Sequence, residues 1–293
     1  MVKNKKTTRI ENLNGIIYMI IAMAGFSVLD FSIKNLSNRL PVSQILILIG
    51  FFQFSWFWAI STYKNSALFS EKIKNKFFIA RTLADLLAAI FFCIAIAKTP
   101  LSSASAIIQI NPLIVSIFAL FLLSEKVRWQ SWLAILIGLI GMLLIIRPGS
   151  ESFLPESIFA VLAVVMFSLR DISTRLISDE ISTLLVSTWG TIGCMIAGLI
   201  SIPFFSVPLF PTNYELFMIF LVSPFGCIAY FSLVRATQRG NFSIISPFRY
   251  TRLLFTLILS FFFLNERPDF IMLLGILMIT FAGTYHILNL AQK

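Results

Sequence analysis

Asp30 and Lys34 stand four residues apart in FSVLDFSIK, Asp171 and Arg175 four apart in FSLRDISTR, and Asp85, Arg249 and Arg252 each interrupt another oily run. Residues four apart share a helix face. Each acid-before-base pair is either a local ion pair that lowers the cost of holding charge near lipid or part of a gate that exchanges partners. Arg252 is the eleventh residue of the apolar run 242–264, close to mid-membrane, with Arg249 one turn away. An arginine at a helix centre costs about 2.5–3.5 kcal/mol, so both need compensating anions. Asp85, Asp30, Asp171 or a negative group on a ligand could supply them. A guanidinium grips carboxylate or phosphate through a planar fork, so the choice lies between a structural Arg–Asp lock and a grip on an anionic or zwitterionic solute. The same three aspartates are the candidates for carrying a proton.

The elements that must position these charges follow from two polar stripes. Ser102, Ser105, Gln109, Pro112 and Ser116 recur at steps of three or four, as do Ser243, Ser246, Arg249, Arg252, Thr256 and Ser260. Such spacing puts each set on one helix face, which must meet protein or water rather than lipid. Asn111-Pro112 and Ser246-Pro247 offer interruptions of those helices, because proline removes a backbone donor and disfavours helix before it. Tyr230 and Tyr250 could stack on a planar ligand or simply pack.

The chain of 293 residues is 58% hydrophobic and 12% charged, against roughly 25% charged in an average soluble domain. A helical span needs about 20 apolar residues. Ten such runs can be drawn: 14–33, 41–61, 77–97, 101–123, 130–146, 156–177, 183–203, 213–233, 242–264 and 269–288. The expected architecture is therefore an all-α integral membrane protein of ten transmembrane helices. The net charge of +10 reads as membrane orientation rather than nucleic-acid binding. Most Lys and Arg, Arg81 among them, fall on the side of the amino terminus, against Lys34, Arg39, Lys98, Arg147 and Arg267 on the other. The positive-inside rule then makes both termini cytoplasmic. Ala22-Met23-Ala24 imitates a signal cleavage site, but only about six apolar residues precede it, too few for a signal h-region. Cys93, Cys194 and Cys227 lie inside spans and read as small apolar residues. The single His286 has no second histidine with which to form a metal site. No metal and no cofactor is expected.

The opening motif occurs twice. Both copies read Phe-Ser-x-x-Asp-x-Ser-x-Lys/Arg, offset by 171 − 30 = 141 residues, and the same offset relates Ala95 to Ala236, Lys98 to Arg239, Ser102 to Ser243, Ser105 to Ser246 and Glu125 to Glu266. Five spans per copy force the second to lie upside down. Such inverted repeats enclose a site near the bilayer midplane between halves that rock. The expected division is a basic cytoplasmic tail, 1–13, a first repeat, 14–146, and a second, 156–293, around a central cavity. Asp30 and Lys34 then mark the outer mouth, Asp171 and Arg175 the cytoplasmic one. Glu125 and Glu266 at span ends read as anchors. The aliphatic spans 5 and 10 read as scaffold or as the contact of a homodimer, with Ala134 and Gly138 at close-approach spacing.

The paired Phe-Ser-x-x-Asp motifs, NPLIVSIFALFLLSE and SPFRYTRLLFTLILSFFFLNERPD together resemble the ten-span EamA type of the drug/metabolite transporter superfamily over about 14–288. The segment PFRY with the following NERPD looks like members that take up S-adenosylmethionine and like proposed riboflavin importers. The resemblance implies a bacterial inner-membrane carrier whose central cavity includes Gln109, Asn111, Tyr230, Arg249, Tyr250 and Arg252. The function expected is secondary transport of a small polar metabolite, S-adenosylmethionine uptake first, with riboflavin, amino-acid or drug-metabolite transport, efflux included, as the alternative. No G-x-x-x-x-G-K followed by Ser or Thr is present, so ATP is not an expected partner. The expected partners are the metabolite and membrane lipid, without nucleic acid. An intramembrane enzyme or a non-transporting membrane partner is the remote alternative.

Overall fold

The structure, a computed structural model, describes residues 9–65, 71–123, 129–147, 154–177, 181–204, 210–239 and 245–291. Expectations resting on Glu125 and Ser243, and on the side chains of Ser116, Ala134, Ser246 and His286, lie outside the described residues. Helices occupy nearly all of the rest: α1 (Arg9–Leu36), α2 (Val42–Tyr63), α3 (Lys76–Lys98), α4 (Leu101–Ile108), α5 (Asn111–Leu123), α6 (Trp129–Ile146), α7 (Ser157–Leu176), α8 (Thr183–Ser201), α9 (Asn213–Arg239), α10 (Thr251–Phe263) and α11 (Phe270–Ala291). Six of them, α1, α2, α3, α7, α8 and α9, contain stretches long and apolar enough to cross a bilayer. Helix α1 begins at Arg9, inside the expected tail.

The outer faces are as oily as the core. Leu277 and Phe262 are 66% and 70% exposed, and continuous apolar faces of this kind require lipid rather than water. Inside, helices from before residue 147 pack against helices from after 157: α1 on α9, α2 on α8, α3 on α7, α4 on α10 and α6 on α11. Small residues set the spacing. A Cβ on Gly198 would lie 2.6 Å from the Ser43 carbonyl oxygen, and one on Gly25 would lie 2.8 Å from that of Phe225. The α6–α11 pair crosses at Gly141 and Gly275, where a Cβ on either would strike the other's carbonyl oxygen at 2.8 or 2.6 Å. Gly138 is filled by Leu113 of the same chain, so its close approach is used within the molecule.

Two of the expected spans are not single helices. The fourth breaks between α4 and α5, where Gln109 and Ile110 donate to Ala106 and Ile107, three residues back instead of four. Pro112 follows and has no N–H to restore the ladder. The ninth contains a tight 3-10 stretch, Ser246–Tyr250, with Pro247 near its start, before α10 begins. Both breaks fall where the sequence places an X-Pro step.

Candidate functional site

The hydroxyls of the repeated motif show how these breaks are held. Ser27 Oγ donates to Met23 O at 2.9 Å and lies 3.1 Å from Arg252 O; Ser168 Oγ donates to Val164 O at 2.7 Å and lies 3.4 Å from Asn111 O. Residues 23 and 164, 27 and 168, and 111 and 252 are each 141 apart. Each serine therefore touches the equivalent turn of the opposite broken span.

The charges do not follow that equivalence. Arg252, at the start of α10, reaches Asp30 of α1 through Nε at 3.0 Å and Nη2 at 2.7 Å. Its guanidinium lies between the Phe26 and Phe92 rings, 5.2 and 5.0 Å from their centroids. Asp171 receives Arg249 Nη1 at 2.6 Å on one oxygen, and Arg170 Nε and Nη2 at 3.1 and 2.9 Å on the other. Arg170 continues to Asp85 at 3.1 Å. Asp85 also accepts from the Tyr230 hydroxyl, which accepts in turn from Arg81. Arg81, Asp85, Arg170, Asp171 and Arg249 thus form a ladder of alternating sign running from α3 through α7 to the ninth-span break. A partnered guanidinium in a low-dielectric interior is held firmly, while removing one partner leaves a buried charge uncompensated.

Asp30, Asp85, Arg170, Arg249 and Arg252 all line one cavity of about 130 Å³, with Gln53, Gln109, Asn111 and Tyr230 and the rings of Phe26, Phe92 and Phe167. Asn111 Oδ1 accepts from Arg249 Nη1 at 3.4 Å. The amide nitrogens of Gln53 and Gln109 are buried without a hydrogen-bond partner among the described residues. Each is a donor whose desolvation is uncompensated until an acceptor arrives. Glycines make the room: a Cβ on Gly190 would strike the Tyr230 hydroxyl, and one on Gly226 the Gln53 amide. Anion-binding forks, carboxylates and aromatic faces around one space can seat a molecule carrying both signs of charge and a planar part.

Apart from Lys34 and Arg175, the sequence-picked residues separate into three groups. Asp30, Asp85, Gln109, Asn111, Tyr230, Arg249 and Arg252 meet at the cavity. Asp171 lies behind it, reached through Arg170 and Arg249. Tyr250 instead packs in the hydrophobic core, its hydroxyl buried and without a hydrogen-bond partner among the described residues. The local pair expected between Asp30 and Lys34 gives way to contacts across helices. Arg252 takes Asp30, and Lys34 Nζ donates to Thr99 O at 2.7 Å at the end of α3. Beside it, Glu266 accepts from Leu101 N, Ser102 N and Ser102 Oγ at 2.8, 3.0 and 2.7 Å, capping the start of α4. The turn between α3 and α4 is therefore clasped by a base and an acid from two other elements. Arg175 is partly exposed near the end of α7.

Three residues of the site escape the sequence reading. Arg81, counted only among the charges on the amino-terminal side, is 1% exposed, because Asp85 one turn on, Tyr230 and the Val186 carbonyl draw it inward. Arg170 sits inside the quoted FSLRD, where the first copy has Leu29; that mismatch between copies is the signal. Gln53 is the one amide in the run FFQFSWFW.

Residues 13–147 and 154–288 each match the EamA-like transporter family. Proteins named S-adenosylmethionine uptake transporter are 25% identical in Rickettsia prowazekii, over 88% of this chain and 86% of that protein, and 26% identical in Rickettsia bellii, over 87% of both. A pseudopaline exporter of Pseudomonas aeruginosa is 23% identical over 92% of this chain and 94% of its own. A solved crystal structure at 17% identity superposes with a TM-score of 0.69 over 96% of this chain and 99% of the other, a likeness of fold.

Proposed function

This chain belongs to the EamA-like transporter family, and we propose that it is a secondary carrier moving a small zwitterionic or anionic metabolite across the bacterial inner membrane by alternating access. In this reading ten helices form two inverted five-helix units, 14–146 and 156–293, with both termini cytoplasmic. S-adenosylmethionine uptake is the substrate and direction that the relatives favour. The observation that carries the proposal is the convergence of Asp30, Asp85, Arg170, Arg249 and Arg252 on one cavity beside two broken spans. Charges held at that depth are costly and mark solute pathways in membrane proteins. The helix pairings support two units related by a two-fold exchange, which turns the α1–α9 contact into the α3–α7 contact and maps α2–α8 and α6–α11 onto themselves; five spans in each unit make the second inverted.

The chemistry follows from the donors. A solute carboxylate replaces an aspartate on the Arg252 or Arg249 fork, while its cationic groups turn to Asp30 or Asp85 and its planar part to Phe26, Phe92, Phe167 or Tyr230. Gln53 and Gln109 donate to its carbonyl or hydroxyl oxygens. Because Arg252 joins α1 to α10 and Arg249 joins α7 to the ninth-span break, a solute that takes either fork loosens one helix contact. That is how binding can bias which mouth opens. Lys34 and Glu266, clasped on the α3–α4 turn, hold the mouth on the Lys34 side shut; Asp171 and Arg175 belong to the opposite one.

The test is uptake of labelled S-adenosylmethionine by purified protein in liposomes without nucleotide. Saturable flux that unlabelled compound competes away is expected. Arg249→Ala and Arg252→Ala should remove it while folded protein is still recovered. No flux of S-adenosylmethionine, riboflavin or amino acids in either direction would sink the proposal. The exporter among the relatives favours a second reading, efflux, which preloaded liposomes separate from uptake.

A further inference from the structure

A second groove, larger than the charged cavity, lies away from it on the flank formed by α1, α2, α9 and the start of α8. It measures about 860 Å³. Its charged groups all stand at one end, Glu11 near the start of α1, Lys64 after α2 and Arg235 near the end of α9, joined there by Ser182 and Thr183 at the start of α8 and by Gln238. Below them the lining carries no charge and is mainly apolar, with Ile21, Phe57, Ile60, Ile228 and Phe231 beside the hydroxyls of Tyr18 and Ser232. Ile21, Ile60 and Ile228 are 40%, 40% and 53% exposed, so the groove opens sideways toward the surrounding lipid.

Its depth matches one leaflet. Glu11 to Ile21 and Gln238 to Cys227 are ten and eleven helical residues, or about 15–16 Å at 1.5 Å per residue. Half of a hydrocarbon core is about 15 Å. The charge is complementary to an anionic headgroup. Neither the Lys64 nor the Arg235 side chain has a hydrogen-bond or ion-pair partner among the described residues, and they outnumber the single acid on the rim. A soluble charged metabolite would want ionic partners along the depth; this groove has its charged groups only at the top.

We propose that this groove is a binding site for one anionic glycerophospholipid of the leaflet on the amino-terminal side, its phosphate between Lys64 and Arg235 and an acyl chain along Ile60, Ile228 and Phe231. The seat spans α1, α2, α8 and α9, which hold the first and second parts of the chain together. A bound lipid therefore tightens the contact that any rocking of those helices must loosen. Basic pockets at the cytoplasmic ends of helices bind anionic headgroups by this physics.

Native mass spectrometry of the full-length protein in detergent tests it, with dioleoyl-phosphatidylglycerol and dioleoyl-phosphatidylcholine as probes. The protein should retain one phosphatidylglycerol at a concentration about tenfold below that needed for phosphatidylcholine, each basic group near the surface contributing a few-fold. The double variant Lys64→Gln/Arg235→Gln should abolish that preference. Ile228→Trp, which fills the apolar floor and leaves both charges, should reduce retention of both lipids, and so guards against a double variant that fails to fold. Equal retention of the two lipids by the unmodified protein overturns the proposal. So does full displacement of phosphatidylglycerol by inorganic phosphate, which would make this a soluble-anion site, or an Ile228→Trp protein that binds as the unmodified one does.

Discussion

The two broken spans are built to one plan and armed differently. At the first, Gln109 and Asn111 bring neutral amides; at the equivalent positions of the second stand Tyr250 and Arg252, with Arg249 one turn before Arg252 in place of Ile108. The serine contacts obey the 141-residue equivalence, Ser27 on the turn of Arg252 and Ser168 on that of Asn111. The ion pairs cannot. Asp30 takes Arg252, but its counterpart Asp171 has only Asn111 at the matching place and is served by Arg249 and Arg170 instead. The hydrogen-bonded frame repeats between the two halves, while Arg170, Arg249 and Arg252, which line the cavity, all come from the second. Under the proposed alternating access, the symmetric frame is what rocks and the asymmetric charge set is what orients the solute.

The sharpest way to break this comparison is Arg252→Asn, which makes the second break resemble the first. Asp30 would be left buried without its cation, a loss of about 3–5 kcal/mol, read as a large fall in apparent melting temperature together with loss of uptake. Adding Asp30→Asn should recover most of the stability and none of the uptake; recovery of both would mean the pair is only a lock. Arg170→Leu, which restores the first copy's residue, strands Asp85 and half of Asp171. It should cost somewhat less, because Tyr230 and Arg249 remain on those carboxylates.

Glu266→Ala tests the clasp rather than the cavity. Losing a helix cap costs about 0.5–2 kcal/mol, and cysteine labelling near Ser102 should become faster from the Lys34 side, with solute affinity little changed. The smallest effect belongs to Asp269, which the structure leaves just before the first residue of α11, Phe270. The Arg147 guanidinium that donates to it, with help from Met272 N, holds its carboxyl below the usual carboxylate range. A depressed carboxylate adds stability above its unfolded value that is lost as pH falls through the folded one. Asp269→Asn should therefore lower the melting temperature slightly at pH 6, by less than the equivalent of about 1 kcal/mol for an exposed pair. The difference should vanish as pH falls below the depressed folded value, and in high salt.

Much of the fold was legible in the residues. Apolar runs marked the helices, and the X-Pro steps at Asn111-Pro112 and Ser246-Pro247 marked the two breaks, because a missing N–H acts locally. The three- and four-residue steps also put Gln109, Arg249 and Arg252 on inward faces. Arg81 was missed as a site residue because distance from a span end says nothing about a tyrosine arriving from α9. Tyr250 failed for the converse reason: its position was right and its side chain turned into the core.

By itself the sequence determined that the chain is helical and membrane-spanning, that a motif recurs at a fixed offset, and which helix faces are polar. Periodicity is a property of one helix, so it stops at the face. Only the tertiary structure decided what each face meets: Arg252 with Asp30 rather than Lys34, Arg170 as the bridge between Asp85 and Asp171, and Gln53 and Gln109 with donors to spare. Ion pairs between helices depend on packing that brings distant residues within about 3 Å, and no local spacing encodes that distance.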